Sequence, residues 1–264
     1  MNIDLSDKTA LVTGSAGGIG LAIARGLAAC GARVAVNGRK QETVDAALGR
    51  IREALPKAKL IGVAADVSTA EGCAKLAAAA PEADILINNA GIFEPKDFFA
   101  ITDEDWRRFF EINVLSGVRL SRALMPGMLR RNWGRIVFVS SESAVNIPKD
   151  MIHYGTTKTA QLAISRGLAE LTAGTAVTVN SVLPGPTQSD GIEAFLGTMA
   201  AKEGVPVDRM AAEFVKQHRP TSLIQRFATV DEIANMVVYL SSKEASATNG
   251  AALRVDGGLI RSVV

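Results

Sequence analysis

Seven short β-branched runs, spaced by longer stretches with helical periodicity, leave this chain few folds to choose from. The runs cover residues 10–13, 33–37, 60–64, 85–88, 135–140, 177–182 and 251–255. Strands that alternate with helices pair in parallel through crossover connections. Several runs are apolar throughout, as in Ile136, Val137, Phe138 and Val139, which suits strands covered on both faces. Between the second and third runs, Val44, Ala47, Leu48, Ile51 and Leu55 recur every three or four residues and so line one face of a helix. Gly31 follows Cys30 where a left-handed cap would end the first helix. Thr229 and Glu232 form a capping-box signature ahead of Ile233, Ala234, Val237, Val238 and Leu240. The expectation is an α/β fold, a doubly wound seven-stranded parallel sheet in the order 3-2-1-4-5-6-7 with helices on both faces.

The strand and helix rhythm runs from Thr9 to Val255 with one interruption, so residues 1–264 are expected to form a single domain. The interruption, residues 186–225, holds two helix-like pieces at 191–202 and 208–218, and a long insertion of this kind is more often a lid or binding loop than a connector. Phe195, Leu196, Met199, Met210 and Phe214 give it an apolar side. Basic and acidic side chains number 29 and 27, and a net charge of +2 offers no electrostatic reason to bind nucleic acid or an anionic membrane. The opening residues, Met1 to Lys8, are polar, and no apolar run is long enough to span a bilayer. Cys30 and Cys73 lack the neighbours that a metal or redox site needs, so no metal is expected and a reducing, cytoplasmic setting is.

Directly after the first strand comes Thr13-Gly14-Ser15-Ala16-Gly17-Gly18-Ile19-Gly20, which opens a helical run. Glycines in such a turn let backbone N–H groups approach a pyrophosphate, and the helix N-terminus favours its charge. Further along stand Asp66-Val67, Asn88-Asn89-Ala90-Gly91, Asn113, Ser141, Tyr154-x-x-x-Lys158, Pro184-Gly185 and Val255-Asp256-Gly257-Gly258. In this order and spacing they cover nearly the whole chain, which resembles the single-domain branch of the short-chain dehydrogenase/reductase family, with similarity to 3-oxoacyl-ACP reductase-like members. The resemblance implies a Rossmann-type fold and an oxidoreductase that moves a hydride between a nicotinamide cofactor and a carbonyl or secondary alcohol.

Tyr154 and Lys158 are four residues apart on a predicted helix and share its face, where an ammonium favours ionisation of the phenol. Ser141 follows the fifth strand at the C-terminal edge of the sheet, where open α/β folds bind ligands. By resemblance Tyr154 is the proton donor or acceptor, Ser141 polarises the carbonyl, Lys158 holds the ribose and lowers the phenol, and Asn113 completes a proton relay through a water. The thirteen-residue spacing to Tyr154 in the family selects Ser141 over Ser140. His153 lies about 100° around the helix from Tyr154 and is read as structural or substrate-facing; His218 lies in the variable insertion.

No acid stands at the end of the second strand, where one would bind a ribose 2′-hydroxyl, and Arg39 suits a 2′-phosphate, so NADP(H) is favoured over NAD(H). Gly17 occupies the place where many NADP(H) members carry a second basic residue. The resemblance also places at the cofactor Gly14, Ser15, Gly18, Ile19, Gly20, Asp66, Val67, Asn88, Ala90, Gly91, Pro184, Gly185 and Thr187, with Asn89 bracing the sheet. It implies a homotetramer built through helices at 114–131 and 152–171 and the tail 255–264. The runners-up are a dinucleotide sensor or scaffold without chemistry, an NAD-dependent dehydrogenase, and epimerisation or dehydration on the same scaffold. The substrate itself is not legible.

Overall fold

β1 (Thr9–Val12) runs parallel to two neighbours at once, pairing Leu11 with Ala35 on one side and with Leu86 on the other. The computed structural model describes residues 2–263, without the side chains of Asp190, Ala194 and Phe195. The Phe195 side chain, Met1 and Val264, which figure in the sequence reading, therefore lie outside the described residues. The other strands are β2 (Arg33–Gly38), β3 (Leu60–Ala64), β4 (Ile85–Asn88), β5 (Gly134–Val139), β6 (Val177–Pro184), a two-residue β7 (Thr187–Gln188), a two-residue β8 (Ala228–Thr229) and β9 (Ala252–Val255). Seven of them form one parallel sheet in the order β3-β2-β1-β4-β5-β6-β9, the expected order, each within a residue or two of its expected place.

The helices are α1 (Gly18–Ala29), α2 (Gln41–Ala54), α3 (Ala70–Ala79), α4 (Asp103–Phe110), α5 (Ser116–Arg130), α6 (Ile152–Glu170), α7 (Asp190–Glu203), α8 (Val207–His218) and α9 (Val230–Leu240). α1 ends as expected, with Gly31 at φ 92° and its N–H donating to Ala28 O at 2.9 Å. Alternate residues of the strands feed two cores. Val12, Ile87 and Val139 pack with Leu27, Val44, Ile51 and Val237 on one face, and Leu11, Leu86 and Phe138 with Leu76, Leu120 and Met128 on the other. Each such side chain, fully buried, contributes about 1.5–3 kcal/mol of apolar transfer.

The insertion does hold two helices, α7 and α8, which share a small core of Leu196, Ala200, Met210, Val215 and Phe227. Its two ends are joined by the short β7–β8 pairing, Thr187 opposite Ala228, which no periodicity announces. The chain reverses its direction of travel across the sheet between β1 and β4. Crossovers leave these two strands on opposite sides, and a crevice opens past their C-terminal ends. Among the described residues no helix is long and apolar enough to cross a membrane.

Candidate active site

Gly14 leaves β1 at φ 60°, and a Cβ there would stand 3.0 Å from Ala90 Cα. The turn is held from beneath by Asn37, a residue that the sequence reading passed over. Its Oδ1 accepts Gly14 N–H at 3.0 Å while its Nδ2 donates to Val63 O and Ala65 O at 3.2 and 3.1 Å. Ser15 is corrected here. Its side chain is buried, its Oγ donates to Val12 O at 2.7 Å and accepts Asn37 N–H at 2.8 Å, so it braces the loop instead of facing a ligand. Gly20 lies under the turn, where a Cβ would collide with Gly14 O and Asn89 Nδ2, and Ile19 packs on the core.

A cleft of about 900 Å³ opens beside this turn. Gly14, Ala16 and Gly17 form one wall; Arg39, Lys40 and Thr43 stand at the end of β2, Asp66 to Ser68 after β3, and Asn89 to Ile92 after β4. Asn88 does not join them: its Nδ2 points to Ser121 Oγ at 3.4 Å on α5, and Asn89 takes its place at the cleft. Alternation along β4 explains the swap, since adjacent strand residues face opposite ways. Asp66 accepts Ser68 N–H at 2.9 Å, and that backbone bond, aided by Arg39, holds its carboxyl below the ordinary range against a burial penalty. The Gly-lined wall, the two cations and the exposed carboxylate fit a phosphorylated dinucleotide: backbone N–H and cations for phosphate, carboxylate for an amino group.

Farther along the sheet edge, Ser141 opens a turn over Glu142–Ala144. Its hydroxyl accepts Ser143 N–H at 3.1 Å and lies near the Tyr154 phenol, whose ionisation it favours. Ser140 turns inward and donates to Lys158 O at 2.9 Å. Burial pushes the Tyr154 phenol up to about 12; the Ser141 hydroxyl and Arg219 oppose the rise and Glu142 adds to it. Lys158 is buried, and its Nζ donates to Val139 O at 2.9 Å and Gln161 Oε1 at 3.2 Å. Burial alone brings this ammonium down to about 7. Lys158 Nζ lies 5.7 Å from the centre of the Tyr154 ring, and the balance that sets the phenol here is burial against the Ser141 hydroxyl.

A family model described as short chain dehydrogenase matches residues 8–197. The chain belongs to the short-chain dehydrogenase/reductase family. An uncharacterised oxidoreductase of Bacillus subtilis, YvaG, is 50% identical over 100% of both chains. The D-beta-hydroxybutyrate dehydrogenase of Cupriavidus necator is 35% identical over 97% of this chain and 99% of its own. Among solved structures, the L-sorbose reductase of Gluconobacter frateurii, complexed with NADPH and L-sorbose, matches with a TM-score of 0.93 at 32% identity over 100% of both chains. This short-chain dehydrogenase/reductase is accordingly an NAD(P)-dependent enzyme acting on a small molecule.

In this member of the family Asn113 sits on a π-helical turn, Glu111–Leu115, inserted between α4 and α5. π turns concentrate at functional sites because the extra residue re-aims a side chain. Asn113 Oδ1 accepts Ile92 N–H at 2.8 Å, and its Nδ2 donates to Ile92 O and Thr157 Oγ1, both at 3.0 Å. Its carbonyl accepts Gln161 Nε2 at 2.5 Å, so the Gln161 amide directly bridges Lys158 and Asn113. The sequence reading missed Gln161, although its place three residues past Lys158, on the same helix face, was the available signal. Gly91 fits tightly here, since a Cβ would lie 3.4 Å from Lys158 Nζ. Pro184 and Gly185 end β6 against Asp256, and the Thr187 hydroxyl is spent on Gly185 O at 2.9 Å. Gly18 lines a separate groove on the far side of α1. His153 is buried against Phe109 and Trp106, with ring centroids 4.1 and 6.1 Å away, whereas His218 is exposed and its ring lies 4.5 Å from that of Phe214.

Proposed function

We propose that this enzyme moves a hydride between NADP(H) and a carbonyl or secondary alcohol, with Tyr154 as the general acid or base. The observation that carries the reading is the convergence of the Ser141 and Tyr154 hydroxyls at the C-terminal sheet edge, with Lys158 buried behind them. The nicotinamide supplies the hydride chemistry when bound. Gly14, Arg39, Lys40, Asp66, Val67, Ala90 and Gly91 would hold the dinucleotide along the cleft, with Gly185 and Thr187 at its far end. A carbonyl oxygen placed between the two hydroxyls accepts from both: Ser141 orients and polarises it, and Tyr154 O–H delivers the proton as negative charge develops there. A phenol held near 12 keeps its proton at neutral pH, which suits the reductive direction. Lys158 Nζ, anchored by Val139 and Gln161, would hold the ribose of the cofactor and return a proton toward the phenol.

Two cations at the end of β2 and the absence of an acid there favour the 2′-phosphate. The reading extends to residues 1–264 acting as one cytoplasmic catalytic unit, with 186–225 closing the substrate side. The test is a panel of ketones, β-ketoacyl thioesters and ketoses offered with each nicotinamide cofactor, followed by Tyr154→Phe on whichever substrate turns over. The variant should retain cofactor binding and lose turnover by about 10²–10⁴-fold. Undiminished turnover would sink the assignment of the proton to Tyr154.

A further inference from the structure

Glu142 directly follows Ser141, yet its side chain is withdrawn from water to 4% exposure. Its Oε1 accepts Arg219 Nε at 2.9 Å, and its buried Oε2 has no hydrogen-bond partner. Arg219 is the residue that ends α8, 77 positions away, and its side chain is 18% exposed. The pair therefore joins the substrate-side insertion to the turn that presents Ser141. On one side the turn is secured to α6, where Thr159 Oγ1 donates to Ala144 O at 2.7 Å. On the other, the chain leaving Arg219 is laid along the last turn of the protein: Thr221 Oγ1 donates to Leu259 O at 2.7 Å and Leu223 N–H to Gly257 O at 2.8 Å.

We propose that Glu142 and Arg219 are a positioning pair for the reaction, fixing the exit of the insertion against the Ser141 turn and setting opposed charges near the Tyr154 phenol. A buried ion pair adds little net stability over an apolar contact, but it enforces one alignment, because any other leaves a charge stranded. The charges facing this group are few. Glu142 feels Arg219, Asp256 and the Ser143 hydroxyl, and burial dominates, pushing its carboxyl up. Tyr154 feels Glu142, which holds its proton on, and Arg219, which draws it off. The inference rests on the role proposed for Tyr154, but its test does not depend on turnover.

The chain has two tyrosines, so Tyr239→Phe leaves Tyr154 as the single phenol, whose ionisation is read by tyrosinate absorbance. In that background Glu142→Gln should move the onset of ionisation to lower pH by about one unit, Arg219→Gln should move it to higher pH by about as much, and the double variant should return near the parent. Hydrogen exchange of amides 207–222 should quicken about tenfold in either single variant. Arg219→Lys, which keeps the charge, should restore the titration, and NADPH binding, followed by its fluorescence, should stay level as the check that each variant is folded. Single variants that shift the onset in the same direction, or leave both onset and exchange unchanged, would overturn the pair. Persistence of turnover in Tyr154→Phe would instead overturn the role of Tyr154 and leave the titration result standing.

Discussion

Arg39 stands exposed at the end of β2, and Gly38 before it is tight: a Cβ there would meet Ala16 Cβ at 3.0 Å and Val44 Cγ2 at 3.1 Å, so a side chain at Gly38 would push its neighbours aside by a few tenths of an ångström. The exposed cation beside it bears on the cofactor prediction. Arg39→Ala should weaken NADPH binding by about 1.5–3 kcal/mol, a tenfold to hundredfold change, and leave NADH binding unaltered. Fluorescence titration with each cofactor checks it; equal losses would show that Arg39 does not read a 2′-phosphate. At this scale the sequence was legible where a residue's own backbone freedom announces it, as with Gly14 and Gly31, both at positive φ. It was illegible for Asn37 and Gln161, plain amides whose importance lies wholly in where their two ends reach. Ser15 and Asn88 erred in the opposite sense, since their place in a motif said nothing about which way they point.

The elements owe their ends to local chemistry. α9 begins at Thr229, whose Oγ1 accepts Glu232 N–H at 3.2 Å while Glu232 Oε2 accepts Thr229 N–H at 2.8 Å. Arg226 and the Thr229 backbone together hold the Glu232 carboxyl down to about 2. Thr229→Ala should cost about 1 kcal/mol of unfolding free energy, measured by urea denaturation at pH 7. A cost near zero would mean that packing of Ile233 and Val237 alone sets the start of the helix. This capping box was readable from two letters three apart. The π turn at Asn113 was not, because its extra residue answers to α6: Thr157 and Gln161 reach across from that helix to hold it. The β7–β8 pairing was hidden for the same reason, as two residues of strand carry no period.

Assembly is the question at the scale of the whole molecule. Leu171 at the end of α6 is 65% exposed and Val263 96%, whereas Leu259, in the tail expected to form an interface, is buried within the protomer at 2%. We propose a homotetramer in which α5 and α6 pack on their counterparts and the C-terminal tail forms a second contact, removing these apolar groups from water. Light scattering at micromolar concentration should give four times the 27.7 kDa protomer. A particle of protomer mass would refute the proposal, and Leu171→Glu should weaken the assembly without lowering the helical circular dichroism signal.

The sequence by itself determined the sheet and the glycine turn, and it singled out Ser141, Tyr154 and Lys158 as the proposed constellation. Period and handedness are local properties, and once seven strands alternate with helices the crossover rule leaves a handful of orders, among which the resemblance to the family picks the one observed. Only the tertiary structure decided that Ser15 and Asn88 face inward, that Gln161 spans Lys158 and Asn113, and that Glu142 meets Arg219 across 77 residues. Each of these is a matter of direction and of long-range approach. The same side chain is brace or ligand contact according to which neighbour packing brings within about 3 Å, the reach of a hydrogen bond.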